Sequence, residues 1–207
     1  MADSYQWLNW AKTLQAIAQN GLTYCESIFD RERYLAIQQI AAQIMGNHSQ
    51  LDTQAILQLL QLEQGYATPK IDVRGAVFRD DKILLVQEQS DQCWSLPGGW
   101  AEINTSPAEA IVKEIREESG YEAKAVRLLA LYDSHKHPHP PDIRHFYKCF
   151  FLCEIIGGEA KTSHETLAVD FFPRDNLPPL STPRVLTSQI DYFFECRHHP
   201  EWPTAFD

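Results

Sequence analysis

Three glutamates, Glu114, Glu117 and Glu118, stand close together near the end of a stretch that reads as a helix, Pro107 to Ser119. Its start is specified by Ser106 as N-cap, Pro107 at the first helical position and Glu109 completing a capping box, and Gly120 suits the stop. With Glu114 set at 0°, Glu118 lies at about 40° and Glu117 at about −60°, so the three share an arc of about 100°. They lie beside an apolar stripe of Ala108, Ile111, Val112 and Ile115 that is expected to face a sheet. In a bare helix this placement is unfavourable. Like charges at i,i+4 cost about 0.2–0.5 kcal/mol per pair, and acids in a last turn meet the negative end of the helix dipole. Lys113 and Arg116 offset only part of that cost. A divalent cation would reverse the sign of every contribution, and a hard oxygen set without His or Cys favours Mg²⁺ or Mn²⁺. The alternative is a solvated acidic helix end.

The glycine-rich stretch before the helix, Leu96-Pro97-Gly98-Gly99, favours the cation. Gly99 and then Lys113-Glu114-Ile115-Arg116-Glu117-Glu118-Ser119-Gly120-Tyr121 resemble the Nudix box, G-x5-E-x7-R-E-U-x-E-E-x-G-U with U apolar. Two positions depart from it: Thr105 stands where the box has its first Glu, and Lys113 where it has Arg. Those two normally pair to brace the loop and helix, so a Thr105–Lys113 hydrogen bond is expected in place of an ion pair. The resemblance implies a hydrolase of nucleoside diphosphates linked to another group, on an α/β/α sandwich. It assigns Glu114, Glu117, Glu118 and the Gly98 carbonyl to the metal, with Mg²⁺ or Mn²⁺ as cofactor. For the general base it leaves two candidates open, Glu165 on a loop outside the box and Glu117 within it.

Outside the box, residues 133–145 concentrate His135, Lys136, His137, His139, Arg144 and His145. As a zinc site this run is poor, because prolines break the spacing and no cysteine accompanies it. It reads either as a loop over the active site whose cations, Lys136 and His137 among them, meet phosphate or ribose, or as an exposed polyproline-like connection. Arg74 alternates with Val73 on a β-like run. Either it reaches the substrate or it snorkels at an edge. Trp94, Trp100, Tyr132, Phe146 and Tyr147 offer a stacking face or simply core.

These groups must be held by two regions. Residues 1–66 read as a small all-helical N-terminal domain of three amphipathic helices. The first carries Trp7, Trp10, Leu14, Ile17 and Ala18 and stops at Gly21. The second is capped by Asp30, with Tyr34, Ile37, Ile40, Ala41 and Ile44 in stripe. The third runs from about Asp52 to Gln64. Residues 67–207 read as the Nudix domain. Its β-like runs are Lys70 to Arg79, Lys82 to Glu88, Ala123–Tyr132, His145–Ile156 and Leu167–Phe172. A hairpin is expected at Asp80-Asp81, a turn at Gly157-Gly158, and a last helix at Thr182 to about Cys196. The class is α+β, a mixed sheet flanked by helices. The helical region together with TPKIDVRGAVF, HKHPHPP and FFLCEIIGGE is similar to the Nudix subgroup typified by bacterial CDP-choline pyrophosphatases. That likeness implies a homodimer through the N-terminal helices and cleavage of CDP-choline to CMP and phosphocholine.

Composition bounds the rest. A formal net charge of −10 over 207 residues argues against non-specific binding of nucleic acid or anionic membrane. No apolar run approaches the ~18–20 residues of a membrane span, and no signal peptide is read in the first residues. Five cysteines with no CxxC pair fit a reduced, cytoplasmic chain. Rival functions are an ADP-ribose or nucleotide-sugar pyrophosphatase, an RNA-end processing enzyme, and a catalytically weak Nudix nucleotide sensor.

Overall fold

A computed structural model describes residues 5–207. Residues 1–4, at the head of the expected helical domain and of the stretch read for a signal peptide, lie outside the described residues. The chain forms two compact units: one of residues up to 69 with Pro141–Arg144, the other of Lys70–Pro140 and His145–Asp207.

The first unit holds α1 (Gln6–Tyr24), α2 (Ile28–Asn47) and α3 (Thr53–Leu62). Ser27, not Asp30, caps α2, accepting from the Asp30 N–H. Asp52 caps α3 through two backbone N–H groups. Gly21 does not stop α1. The helix runs on to Tyr24, and a Cβ at Gly21 would meet the Tyr34 ring at 2.3 Å, so the glycine lets α1 and α2 approach closely. Of the expected stripes Ala18 and Ala41 are buried, but the rest of each buried face differs: Leu8, Ala11 and Gln15 on α1, and Gln38, Ala42 and Met45 on α2. Small residues are favoured there because the helices pack tightly, which turns Trp10, Ile17, Ile40 and Leu59 outward. Ile143 packs on this core, and Lys12 donates to the Arg144 carbonyl.

The second unit is built on β1 (Lys70–Arg79), β2 (Lys82–Glu88), β3 (Trp94–Ser95), β4 (Tyr121–Asp133), β5 (Phe146–Gly158), β6 (Thr166–Pro173) and β7 (Ala205–Phe206). The order is β3-β2-β1-β5-β4-β7, with β6 on β2. β1 and β5 are parallel and β4 and β5 antiparallel, so the sheet is mixed. The β1–β2 hairpin turns at Asp80 and Asp81, both with positive φ, as a two-residue primed turn requires. Gly157 and Gly158 end β5 rather than lying between strands.

A helix covers each face. Period-2 alternation divides the side chains: Ala76, Ile83, Leu85 and Phe150 meet α5 (Thr187–His198) through Ile190, Phe193 and Phe194. Val73, Val77, Leu84, Cys149 and Cys153 meet α4 (Pro107–Ser119) through Ala110, Ile111 and Ile115. Fully burying Ile111 and Ile115 contributes about 1.5–3 kcal/mol each. The face of α4 turned to the sheet is centred on Ile111 and Ile115 and takes in Ala110 and Glu118, a rotation away from the expected Ala108 and Val112. All five cysteines are free, and no described helix is long and apolar enough to cross a membrane.

Candidate active site

Beyond the hairpin, β1 parts from β2, and the loop after β3 fills the gap along its edge. The Val73 N–H donates to the Gly99 carbonyl at 2.8 Å, Gly75 N–H to the Pro97 carbonyl at 2.9 Å, and Ala101 N–H to the Ile71 carbonyl at 2.9 Å. This seats Gly98 so tightly that a Cβ would lie 2.0 Å from the Val73 carbonyl oxygen, and its φ of +145° is one that L side chains rarely adopt. The docked loop brings the Gly98 N–H to Glu118 Oε2 at 2.8 Å and lays Gly99 against the Glu114 carboxylate.

The capping box of Ser106 and Glu109 and the left-handed Gly120 set the ends of α4 as the residue types require. The helix therefore delivers Glu118, 5% exposed, into the cleft between its own last turn and the loop. Burial pushes the Glu118 carboxyl up to about 8, opposed by the Arg74 charge and the Gly98 hydrogen bond, and reinforced by Glu88 and Glu114. Burial likewise raises Glu114, again against Arg74 and with Glu117 and Glu165 adding repulsion. Two acids held in a protonation-favouring cleft, lined by oxygen donors and a glycine loop, fit a hard divalent cation, which would favour their ionised forms.

Arg74 neither snorkels nor sits at an edge. Its guanidinium is buried, 3.0 Å from Asp72 Oδ1, and donates to the Leu96 carbonyl at 3.2 Å. Asp72 also accepts from Lys148 Nζ at 2.7 Å. Burial disfavours the Asp72 charge, but Arg74 and Lys148 outweigh it and hold the carboxyl below its ordinary range. Burial lowers Lys148 to about 8, with Asp72 opposing. Glu88 extends the chain of charges: Ser95 Oγ donates to it at 2.6 Å and Arg184 Nε lies at 3.0 Å. A buried network thus backs the glutamate cleft and orients the Arg74 guanidinium, whose charge acts on Glu114 and Glu118.

The expected Thr105–Lys113 bond is not made. Lys113 Nζ pairs with Glu102 at 2.8 Å, and Thr105 Oγ1 donates to the Glu102 carbonyl at 2.6 Å. A loop acid three residues earlier therefore reaches the lysine, and the shorter threonine closes the local turn.

Glu117 is exposed, 3.9 Å from Lys113. Glu165 is exposed at the start of β6, where its neighbour Thr166 donates to the Glu118 carbonyl at 2.9 Å, so strand and helix end are tied beside one another. His137 lies against the Tyr132 ring at a tilt and pairs with Asp207 at 3.0 Å, and Lys136 is exposed in a short 3-10 turn, Ser134–Lys136. Within the histidine-rich segment, Pro141–Arg144 belong to the helical unit and the residues before and after them to the other. The sequence reading missed Asp72, Glu88, Glu102, Lys148 and Arg184. Charged residues at 72, 74 and 148 inside otherwise apolar strands were the available signal, since buried charges are almost always paired.

Known proteins share the sequence family and the overall fold of this chain. Residues 69–193 match the NUDIX domain family, and residues 5–60 match a UDP-X-like, N-terminal oligomerisation domain. A Bacillus subtilis (strain 168) protein named "Putative ADP-ribose pyrophosphatase YjhB" is 50% identical over 202 residues, 98% of this chain and 97% of that one. The crystal structure of an ADP-ribose pyrophosphatase from Streptococcus suis 89-1591 is 43% identical with a TM-score of 0.63, covering 68% of this chain and 100% of that one. That of a UDP-X diphosphatase is 33% identical with a TM-score of 0.64, covering 98% of each.

Proposed function

Because the chain belongs to the Nudix family and is a nucleotide pyrophosphatase by class, we propose that it cleaves the diphosphate bridge of a nucleoside diphosphate linked to another group, with Mg²⁺ as cofactor and Mn²⁺ able to replace it. The observation that carries the reading is the cleft in which the Gly98 loop, Glu118 and Glu114 meet in front of Arg74. Glu114, Glu117, Glu118 and the Gly98 carbonyl would hold the cation. When bound, it neutralises charge on the diphosphate and acidifies water.

The chain's own groups supply the rest. Arg74, oriented by Asp72, sets a positive charge against the cleft without itself being mobile. A carboxylate at the rim, Glu165 or Glu117, takes a proton from the attacking water. The water oxygen bonds to phosphorus, the P–O bond of the anhydride breaks, and a nucleoside monophosphate leaves with the phosphorylated other half. Lys136 and His137, on the segment after β4, are the side chains proposed to meet the substrate's outer part.

The two relatives named for ADP-ribose favour that substrate, while the likeness of the whole chain to a UDP-X diphosphatase keeps pyrimidine nucleotides, CDP-choline included, in play. The test is turnover of ADP-ribose, CDP-choline, a UDP-sugar and a nucleoside triphosphate with Mg²⁺, read as phosphate released by a coupled phosphatase. Turnover of an X-linked diphosphate supports the reading; folded protein that turns over none of them overturns it.

We also propose a homodimer through the N-terminal helices. Trp10, Ile17 and Tyr24 stand exposed at seven-residue steps on α1, as do Ile28 and Leu35 on α2, forming apolar faces that a second copy would cover. Sedimentation equilibrium giving a monomer would contradict it. Free thiols fit action in the reducing cytoplasm.

A further inference from the structure

The histidine-rich segment acquires a partner in the fold that its spacing concealed. Asp133 ends β4, His135 follows in the 3-10 turn, and His145 immediately precedes β5. Because Asp133 lies opposite Tyr147 in the β4–β5 register, the two ends of the long connection meet there. His145 Nε2 stands 3.1 Å and His135 Nδ1 3.3 Å from the same oxygen, Asp133 Oδ1, and the three atoms lie within 4.8 Å of one another. Among the described residues this is the group of His, Cys, Asp or Glu that closes so far.

We propose that Asp133, His135 and His145 form a second cation site, chemically distinct from the glutamates of α4, that takes a borderline transition-metal ion of the Zn²⁺ type. The spacing fits. Tetrahedral zinc, with bonds of about 2.0–2.2 Å to nitrogen and oxygen, sets neighbouring ligand atoms about 3.3–3.5 Å apart. The backbone positions are also fixed before any ion arrives. The Asp133 N–H donates to Asp207 Oδ2 at 2.7 Å, Asp133 Oδ1 accepts the His135 N–H at 2.9 Å, and the His145 carbonyl accepts from Lys70 N–H at 3.0 Å.

Ligand chemistry separates the two sites. Two imidazoles and one carboxylate suit Zn²⁺, Co²⁺ or Ni²⁺, whereas Mg²⁺ prefers the all-oxygen set of Glu114, Glu117 and Glu118. The side chains of the trio are 21–43% exposed, which leaves an entry path and an open position for water. A bound ion would link the end of β4 to the start of β5. A plain hydrogen-bonded trio has the same contacts, with the imidazole N–H groups donating to the carboxylate. It differs in needing those protons, which a metal replaces.

The probe is Co²⁺, added to the full-length protein with excess Mg²⁺ filling the glutamates and read by the visible absorption of nitrogen-ligated cobalt, with Zn²⁺ displacing it. One equivalent is expected. His135→Gln and His145→Gln, both at exposed positions, should each weaken binding by about 10–100-fold or more, while Glu117→Gln leaves it unchanged. No cobalt uptake by the wild type, or undiminished uptake in a double His135→Gln/His145→Gln variant of normal circular dichroism, would overturn the proposal. Neither result bears on Mg²⁺-dependent turnover, which is measured without transition metal.

Discussion

Lys113 and Glu102 form the brace between helix and loop, at 2.8 Å, while Thr105, which the motif would pair with Lys113, bonds the Glu102 backbone instead. Lys113 is raised chiefly by its hydrogen bond to Glu102. The pair is largely exposed, so its contribution is small and weakens with salt. A double-mutant cycle of Glu102→Ala and Lys113→Ala, followed by chemical denaturation, should return a small favourable coupling that falls as salt is added. The cycle of Thr105→Ala with Lys113→Ala should return none. The opposite ranking would restore the threonine–lysine bond.

Glu118 carries a stability cost as well as a role. Its folded-state value of about 8 lies above its ordinary 4.5, so the folded protein resists its ionisation. The penalty is absent below 4.5, grows as pH rises and is complete above about 8. Metal-free Glu118→Gln should therefore be more stable than wild type at pH 8, by on the order of 1–3 kcal/mol, and the advantage should vanish in acid. Thermal midpoints in EDTA across pH check it. A pH-independent difference would mean that Glu118 is not a buried acid.

Gly98→Ala should be among the most damaging single changes. A methyl group 2.0 Å from the Val73 carbonyl and a φ of +145° cannot both be accommodated, so the loop must lift from β1. A loss of about 3 kcal/mol or more is expected, with turnover falling at least tenfold even where the variant stays folded. Wild-type stability would show that the loop does not dock on the strand.

Lys148→Met tests the network behind the cleft. Removing one partner of a buried pair costs about 3–5 kcal/mol, and the low end is expected because Asp72 keeps Arg74. Urea denaturation measures it, and a loss below ~1 kcal/mol would show that Lys148 is not committed to Asp72.

The sequence made the box helix legible almost to the residue, because Ser106, Pro107, Glu109 and Gly120 act locally. The strands and the Asp80-Asp81 hairpin followed from alternation and turn chemistry. What it hid was decided by distant packing. Gly21 reads locally as a helix stop, but its role is set by Tyr34, which packs against it from α2. β3 and β7, two residues each, carry no periodicity of their own. At the site, the glutamates were readable from spacing, but the partners of Arg74 and Lys113 were not, since Asp72, Lys148 and Glu102 reach them through the sheet register and the loop path. Asp133 joins His145 only because β4 pairs with β5.

The most direct test of the central claim, a cation-dependent diphosphate cleavage built on the buried glutamate beside the glycine loop, is the Mg²⁺-dependent kcat of Glu118→Gln against wild type on the best X-linked nucleoside diphosphate. A fall of about 100-fold or more, near 2.7 kcal/mol of transition-state stabilisation, is predicted in a variant that remains folded. Turnover at the wild-type rate would contradict the account.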